Sequence, residues 1–120
     1  MRRIVLLVFT IFLFNKSYSQ NQTVNWYFGN KAGLNFNKAT LNVLNNSAMN
    51  TINGSATISD NEGDLLFYTN GKTIWDKNHE IMENGNLEAN EDIYQPSIII
   101  PSIDNEKLYF TFTNSNKNGV

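Results

Sequence analysis

A near-repeat in the second half of the chain constrains the fold more than any other feature. Ser55–Thr69, SATISDNEGDLLFYT, recurs about 42 residues later as Ser97–Thr113, SIIIPSIDNEKLYFTFT. Each copy combines a short apolar strand, a polar turn and an aromatic strand. A period of about 40 to 45 residues is typical of one blade of a β-propeller. The chain is therefore predicted to be all-β and to consist of β-propeller-like antiparallel hairpins.

The best-defined local element is a predicted hairpin around Asn70-Gly71. This pair favours a two-residue type I′ turn, because both residues tolerate the positive φ that the turn requires. Such a loop pairs Thr69 with Lys72 and thereby fixes which side chains share a face. One face carries Leu66, Tyr68, Thr73 and Trp75, and the other carries Leu65, Phe67, Thr69 and Ile74. Since both faces are largely apolar, we expect other sheets to cover the hairpin on both sides.

Further strands are expected on either side of this hairpin. They are Trp26–Gly29, Leu34–Phe36, Ala56–Ser59, His79–Met82, Ser97–Ile100 and Leu108–Thr113. The passage Asn37–Asn53 is expected to be irregular, because its density of Asn disfavours helix. The continuous apolar run Ser97–Ile100 predicts a strand that is buried on both faces, with Pro96 and Pro101 at its ends.

The N-terminus has the pattern of a secretory signal peptide over Met1–Ser19. A basic start and the apolar run Ile4–Phe14 precede a small-x-small cleavage pattern at Ser17–Ser19. As a helix the apolar run would rise only about 16 Å, against a hydrocarbon core of about 30 Å. We therefore expect cleavage before Gln20, no membrane span in the mature chain, and a single domain over residues 20–120.

The charge and cysteine content exclude several classes of function. Without the signal, six Lys and Arg face eleven Asp and Glu, a net charge of −5. A chain this acidic is a poor phosphate binder, so nucleic acid is not an expected partner. The absence of cysteine removes disulfides, thiolate catalysis and thiolate metal sites.

No catalytic motif stands out, and the chain is not predicted to be an enzyme or to hold a cofactor. His79 is the only histidine, and it is expected to be an exposed residue at a strand edge. No G-x-S-x-G motif supplies a nucleophile for it. Acidic residues are plentiful after it, but a glycosidase needs two carboxylates held about 5 to 9 Å apart in a cleft. These acidic residues are Glu80, Glu83, Glu88, Glu91 and Asp92.

The best candidate for a metal site is a weak one for calcium at Asp60, Glu62 and Asp64. Alternating oxygen ligands with Gly63 among them resemble part of a calcium-binding loop. Hairpin turns, however, select Asp, Asn and Gly for backbone reasons as well. The turn interpretation is therefore the preferred alternative.

Aromatic residues give a weak indication of binding. If exposed, they would form a platform on which sugars stack, whereas their positions within strands favour the core. The residues are Trp26, Tyr27, Trp75, Tyr94 and Tyr109. The expected partner is accordingly an unknown protein or glycan.

The repeat is too short to close a propeller. A ring needs at least four blades, or roughly 160 to 200 residues, whereas the sequence accounts for one blade and part of a second. We therefore expect residues 20–120 to be a partial propeller-like domain, a fragment of a larger protein. The alternative is a small sheet or sandwich that uses the same hairpin twice.

Six segments together resemble a known family. They are Trp26–Gly29, Ala32–Phe36, Ala56–Asp60, Gly63–Gly71, Ile74–His79 and Met82–Gly85. This string is similar to the N-terminal region of large secreted Bacteroidetes proteins that end in a gliding-motility-associated sorting domain, recognised by the type IX secretion system. One departure is Glu83, where the family often has proline. The resemblance implies a propeller-like fold and extracellular or cell-surface delivery, and it brings no catalytic residues.

The expected function is that of a non-catalytic exported module for surface adhesion or protein interaction. Two alternatives stay open: the accessory propeller of a secreted hydrolase, and a small periplasmic glycan-binding protein. The periplasm is the expected location if the protein ends at Val120, because the signal peptide alone delivers it no further.

Overall fold

The computed structural model describes residues 21–37, 40–87, 89 and 94–114. These residues form nine β-strands and one short 3-10 turn, and no α-helix occurs within them, so the all-β prediction is confirmed. No helix in these ranges is long and apolar enough to cross a membrane. The predicted signal peptide and the acidic residues Glu88, Glu91 and Asp92 lie outside the described part of the chain.

The elements follow one another with short connections. The 3-10 turn is Asn21–Thr23, and the strands are β1 (Asn25–Phe28), β2 (Ala32–Asn35), β3 (Asn42–Leu44), β4 (Ala56–Ser59), β5 (Leu65–Thr69), β6 (Thr73–Asp76), β7 (Ile81–Asn86), β8 (Ser97–Pro101) and β9 (Tyr109–Thr113). The near-repeat thus corresponds to two antiparallel hairpins, β4–β5 and β8–β9. Pro96 and Pro101 lie at the ends of β8, as predicted.

The strands form three antiparallel sheets. The first sheet has the order β1-β2-β3, the second β4-β5-β6-β7, and the third β8-β9. Within each sheet, every strand pairs with its neighbours in sequence, which keeps the connections local. Sequence reasoning missed β3, because its Asn-rich surroundings resemble loop. It forms because Val43 and its neighbours pair with β2.

The register predicted for the central hairpin is wrong by two residues. Thr69 pairs with Ile74 rather than with Lys72, and Tyr68 pairs with Trp75. A shift of one residue would exchange the faces of a strand, whereas a shift of two preserves them. The pairs Tyr68–Trp75 and Thr69–Ile74 therefore share the predicted faces although the register is wrong. Leu65 does not lie on its predicted face: it packs against the core with Tyr68 and Trp75, at the point where the β4–β5 pairing is irregular.

The turn at Asn70 explains the longer loop. Only Gly71 has a positive φ in this turn, at 92°, so the pair does not form the type I′ turn. The Asn70 side-chain oxygen instead accepts the backbone N–H groups of Lys72 and Thr73, at 3.1 and 2.8 Å. The Thr69 hydroxyl accepts the Gly71 N–H at 2.9 Å. These side chains hold a wider loop closed, so the two-residue turn is not needed.

The strand predicted at His79–Met82 lies later in the chain. The observed strand β7 begins at Ile81 and runs through Asn84-Gly85, which were expected to be its end. Its pairing with β6 is irregular between Thr73 and Trp75, and Asn84 has a φ of 56°. An irregularity of this kind bends a strand and changes its direction without ending it.

The second sheet lies between the other two. Tyr68 stacks on Tyr27 of the first sheet with 4.9 Å between ring centroids. Phe67, on the opposite face, contacts Tyr109 of the third sheet edge-on at 5.7 Å. The prediction that the central hairpin is covered on both sides is therefore confirmed.

The first strands of the three sheets are neighbours. Strand β4 contacts β1 on one side and β8 on the other. The Thr57 hydroxyl of β4 accepts the Tyr27 backbone N–H of β1 at 3.0 Å, and the Ser55 hydroxyl donates to the Tyr27 carbonyl at 2.7 Å. Side-chain hydroxyls thus satisfy the open edge of β1 where no strand pairs with it.

A buried amide also joins the first sheet to the second. The Asn25 side-chain nitrogen donates to the Ser59 hydroxyl and to the Gly63 carbonyl, both at 2.9 Å. Its oxygen accepts the Asn35 side-chain N–H at 2.6 Å. Asn25 is buried. If its side chain were removed, each of these groups would lose a hydrogen-bond partner that water does not readily replace.

We expect Asn25→Ala to lower the free energy of unfolding by about 2–3 kcal/mol, because buried polar groups lose their partners. The matched control is Asn42→Ala, which removes an exposed amide whose bond to the Thr40 carbonyl is local and long, at 3.4 Å. The control should change stability by less than about 0.5 kcal/mol. Urea unfolding of residues 20–120 measures both. Equal effects would mean that Asn25 does not join the sheets.

The third sheet differs from its prediction in one respect. The run Ser97–Ile100 was expected to be buried on both faces, but Ile98 and Ile100 are about half exposed. Ser97 is buried, and Ile99 is partly covered. The second sheet covers one face only, and within the described residues nothing covers the other.

Candidate interaction surfaces

The weak calcium candidate lies in the turn between β4 and β5. One Asp60 side-chain oxygen accepts the backbone N–H groups of Glu62 and Asp64, at 3.0 and 2.8 Å. Within the described ranges, no three His, Cys, Asp or Glu side chains lie close enough together to hold a metal ion. The geometry therefore favours the alternative interpretation, in which Asp60 closes a turn.

A second turn has the same bonding. Asp76, the last residue of β6, accepts the N–H groups of Asn78 and Glu80 on one side-chain oxygen, at 2.8 and 2.9 Å. In both turns the fourth residue has a positive φ, 92° at Gly63 and 67° at His79. The pattern Asp, two variable residues, a left-handed residue and an acidic residue therefore defines both turns, and His79 stands where glycine is preferred.

The pKa of the Asp76 carboxyl lies below its usual value, chiefly because the Glu80 N–H stabilises the carboxylate, with Asn78 adding to this effect. A carboxyl with a lowered folded-state pKa adds stability above its unfolded pKa of about 3.9. This stability is lost as the pH falls through the folded pKa. Below about pH 4 the urea midpoint should therefore decrease more steeply for the natural chain than for Asp76→Asn, which keeps the accepting oxygen. Parallel curves would contradict this.

His79 is not the exposed strand-edge residue that was expected. It is partly buried in the turn between β6 and β7, and its two ring nitrogens hydrogen bond to Asn46 at 2.9 Å and to the Tyr68 hydroxyl at 3.0 Å. Asn46 in turn accepts the Tyr27 hydroxyl at 3.1 Å. The imidazole thus links Asn46, in the segment between the first and second sheets, to Tyr68 in the core of the second sheet. Sequence reasoning had no signal for it except the match between the two turns.

Substituting His79 separates backbone strain from side-chain bonding. Both His79→Ala and His79→Gly lose the side-chain hydrogen bonds. Alanine keeps a Cβ at a position with a positive φ of 67°, whereas glycine removes that backbone strain. We therefore expect His79→Ala to be the less stable of the two by about 1 kcal/mol in urea unfolding. Equal stabilities would show that the turn imposes no strain at this position.

Two tyrosines have raised pKa values. Burial raises the pKa of Tyr27. Burial also raises the pKa of Tyr109, and the carboxylates of Asp60 and Glu106 add to the effect. Both phenols therefore stay neutral at physiological pH, and both serve as packing groups between sheets.

The five aromatic residues considered for sugar stacking do not form one platform. Tyr27 is buried, and Trp75 and Tyr109 are partly buried. Trp26 is 54% exposed, and Tyr94 is 96% exposed. Only Trp26 lies in an aromatic group on the surface, where its ring meets Phe36 edge-on at 5.2 Å.

The outer face of the first sheet is apolar. Strand β1 alternates, so that Asn25 and Tyr27 point to the second sheet while Trp26 and Phe28 point outward. Val43 of β3 lies next to Leu34 in the same sheet and is also exposed. A cavity of about 270 Å³ opens beside this face, lined by Thr23, Trp26, Tyr27, Phe28, Ser55 and Thr57.

The outer face of the third sheet is apolar as well. Two cross-strand pairs, Ile98 with Phe112 and Ile100 with Phe110, present their side chains away from the second sheet. These four side chains are 44% to 57% exposed. The stack of three sheets therefore has an apolar outer face at each end. Apolar faces of this kind mark places where another surface packs.

Comparisons with known proteins do not assign the chain to a family. No family model, no curated protein and no solved structure matches the chain.

Proposed function

We propose that this protein is a non-catalytic, exported interaction module, built as the N-terminal part of a β-propeller-like domain in a larger secreted protein. The observation that carries the proposal is the stack of three antiparallel sheets whose first strands are neighbours. A propeller arranges four-stranded antiparallel sheets radially around a channel, with first strands innermost. The order β4-β5-β6-β7 is that of such a sheet.

The outer faces support an assembly larger than three sheets. In repeat proteins the terminal units carry a polar outer face, because they end the array. The first sheet instead exposes Trp26 and Phe28, and the third exposes Ile98 and Phe112. Under this proposal both sheets are interior units, and the three-stranded first sheet is a further blade beyond the two that the repeat indicated.

Export and surface delivery are the second part of the proposal. They rest on the signal-like segment Met1–Ser19 and on the resemblance to the N-terminal region of type IX-secreted Bacteroidetes proteins. The role would be adhesion or protein interaction, carried by loops on a rigid scaffold. The turns Asp60–Asp64 and Asp76–Glu80 are held closed by side-chain bonds, which would preorganise such loops.

Fractionation of the producing cell tests this role. We expect the protein to be at the cell surface or in the medium, to be removed by protease added to intact cells, and to start at Gln20. Removal of its gene should reduce attachment to surfaces or to neighbouring cells. A cytoplasmic protein that keeps its first nineteen residues would contradict the proposal.

A glycan-binding role is a second candidate, favoured by the cavity beside Trp26. An exposed indole next to the hydroxyl-bearing residues Ser55 and Thr57 combines a stacking surface with polar groups. Titration of residues 20–120 with oligosaccharides should then change the Trp26 fluorescence. The change should persist in Trp75→Phe and disappear in Trp26→Phe. A signal that depends on neither tryptophan would rule this candidate out.

A further inference from the structure

Among the described residues, the third sheet has two strands and the second has four. Strand β5 pairs with β4 on one side and with β6 on the other, whereas β9 pairs only with β8 among the described residues. Both β5 and β9 are five residues long and follow a hairpin with the same order of strands. The outer edge of β9 is therefore the counterpart of the edge that β6 covers in the second sheet.

The edge of β9 has none of the features that protect a free edge. Natural edge strands carry charged side chains, proline or bulges that prevent further pairing. Strand β9 has the sequence YFTFT, with no charge and no proline, and its register with β8 is regular over all five residues. Such an edge is suited to accept another strand.

The end of β9 has the same sequence as the end of β5. Thr113-Asn114 follows the aromatic strand as Thr69-Asn70 does. In the second sheet this pair closes the turn into β6: the Thr69 hydroxyl donates to the Thr73 carbonyl at 2.7 Å, and Asn70 accepts the Thr73 N–H. The dipeptide therefore favours a turn that directs the chain back along β9.

An unsatisfied polar atom lies at the same end of the third sheet. A groove of about 530 Å³ runs beside β8 and β9, lined by Gln95, Pro96, Ser97, Ile98, Phe112, Thr113 and Asn114. The Ser97 hydroxyl is buried next to it, and within the described residues it has no hydrogen-bond partner. Buried hydroxyls are rarely left without one. The groove thus has both an apolar wall and an unused polar group.

We infer that β9 is completed by an antiparallel β-hairpin of the continuing polypeptide, the counterpart of β6–β7, with apolar side chains at alternate positions. This inference rests on the proposed function, since it assumes the same repeat. The occupant pairs with the outer edge of β9 and extends the third sheet to four strands. A second copy of the chain is a less suitable occupant, because the Thr113-Asn114 turn would direct its own chain along the same edge.

The chain itself supplies the probe for a test. A copy of residues 71–87, which contains β6 and β7, is attached directly after Asn114, where it continues from Asn114 as Gly71 continues from Asn70. Hydrogen exchange then compares this extended chain with residues 20–120. The amides of Tyr109, Thr111 and Thr113 alternate with those that bond to β8 and therefore face the outer edge of β9. We expect these three amides to exchange at least tenfold more slowly in the extended chain, while the β5 amides keep their rates. The control carries Ile74→Pro and Trp75→Pro in the attached copy only, which prevents strand pairing.

Slower exchange in the extended chain but not in its proline control supports the inference. Unchanged exchange of the Tyr109, Thr111 and Thr113 amides in an extended chain whose β5 amides stay protected overturns it. Protection of the Tyr109, Thr111 and Thr113 amides in residues 20–120 also overturns it, whether in a monomer or in a dimer formed through β9. If the attached copy disrupts folding, the exchange rates of the same three amides in residues 20–120 alone decide whether the inference stands. Cell fractionation does not depend on these rates, so failure of the proposed function would be seen separately.

Discussion

Replacing Tyr68 with alanine should remove most of the stability of the mature chain, because the loss is expected to reach about 3–5 kcal/mol. The Tyr68 side chain is fully buried. Its ring stacks on Tyr27 at 4.9 Å and on Trp75 at 5.5 Å, and its hydroxyl accepts the Ala48 N–H at 2.9 Å. A domain of this size has a total stability of only about 5 kcal/mol or somewhat more. Far-UV circular dichroism in urea measures the loss.

The control for Tyr68→Ala is Tyr68→Phe, which keeps both stacked rings and removes only the hydroxyl. We expect it to cost about 1–3 kcal/mol, because Ala48 and His79 lose their partner. The difference between the two variants reports the packing of the aromatic rings. If Tyr68→Ala were no worse than Tyr68→Phe, stacking between the first and second sheets would not hold them together.

The second large effect is expected at Gly71, where the second sheet meets the start of the third. Its φ of 92° disfavours any side chain, and an added Cβ would lie 2.5 Å from the Pro96 Cβ and 2.9 Å from the Pro96 carbonyl oxygen. Gly71→Ala should therefore cost about 1–2 kcal/mol for the backbone and a further 1–3 kcal/mol, approximately, for the overlap. Hydrogen exchange should also become faster in β8.

Gly29→Ala is the matched control for Gly71→Ala. Gly29 also has a positive φ, of 59°, but an added Cβ would meet nothing within 4 Å. Its cost should be limited to the backbone term of about 1–2 kcal/mol, with no change in β8 exchange. If the two variants were equally destabilised, the close approach of Gly71 to Pro96 would not contribute to the cost of Gly71→Ala.

The strands could be predicted where apolar residues alternate or run together, and the register could not. The faces around Tyr68 and Thr69 followed from the period of two along each strand, which a shift of two residues leaves unchanged. The face of Leu65 did not, because the pairing of β5 with β4 is irregular at that end. The register depended on whether Asn70 would adopt a positive φ or use its side chain to hold a wider loop. That choice is made by Thr69 and Thr73, which are outside the two-residue pattern.

The interaction surfaces were harder to predict than the strands. Whether the apolar run at Ile98–Ile100 is covered on both faces depends on how many sheets pack beside it, and no local pattern encodes that number. The His79 contacts join residues 33 and 11 positions apart in sequence, so no local pattern predicts them either. By contrast, Asp60 and Asp76 begin closely similar five-residue turns, which comparison of the two sequences would have shown.

The most direct test of the whole account is the intact mass and N-terminus of the native product, measured for each cell fraction. We predict a surface or extracellular species that starts at Gln20 and is several times longer than the 120-residue sequence, with further propeller-like repeats after Asn114. A periplasmic species that starts at Gln20 and ends at Val120 would contradict the account. In that case the apolar outer faces of the first and third sheets would not be interior surfaces of a larger domain.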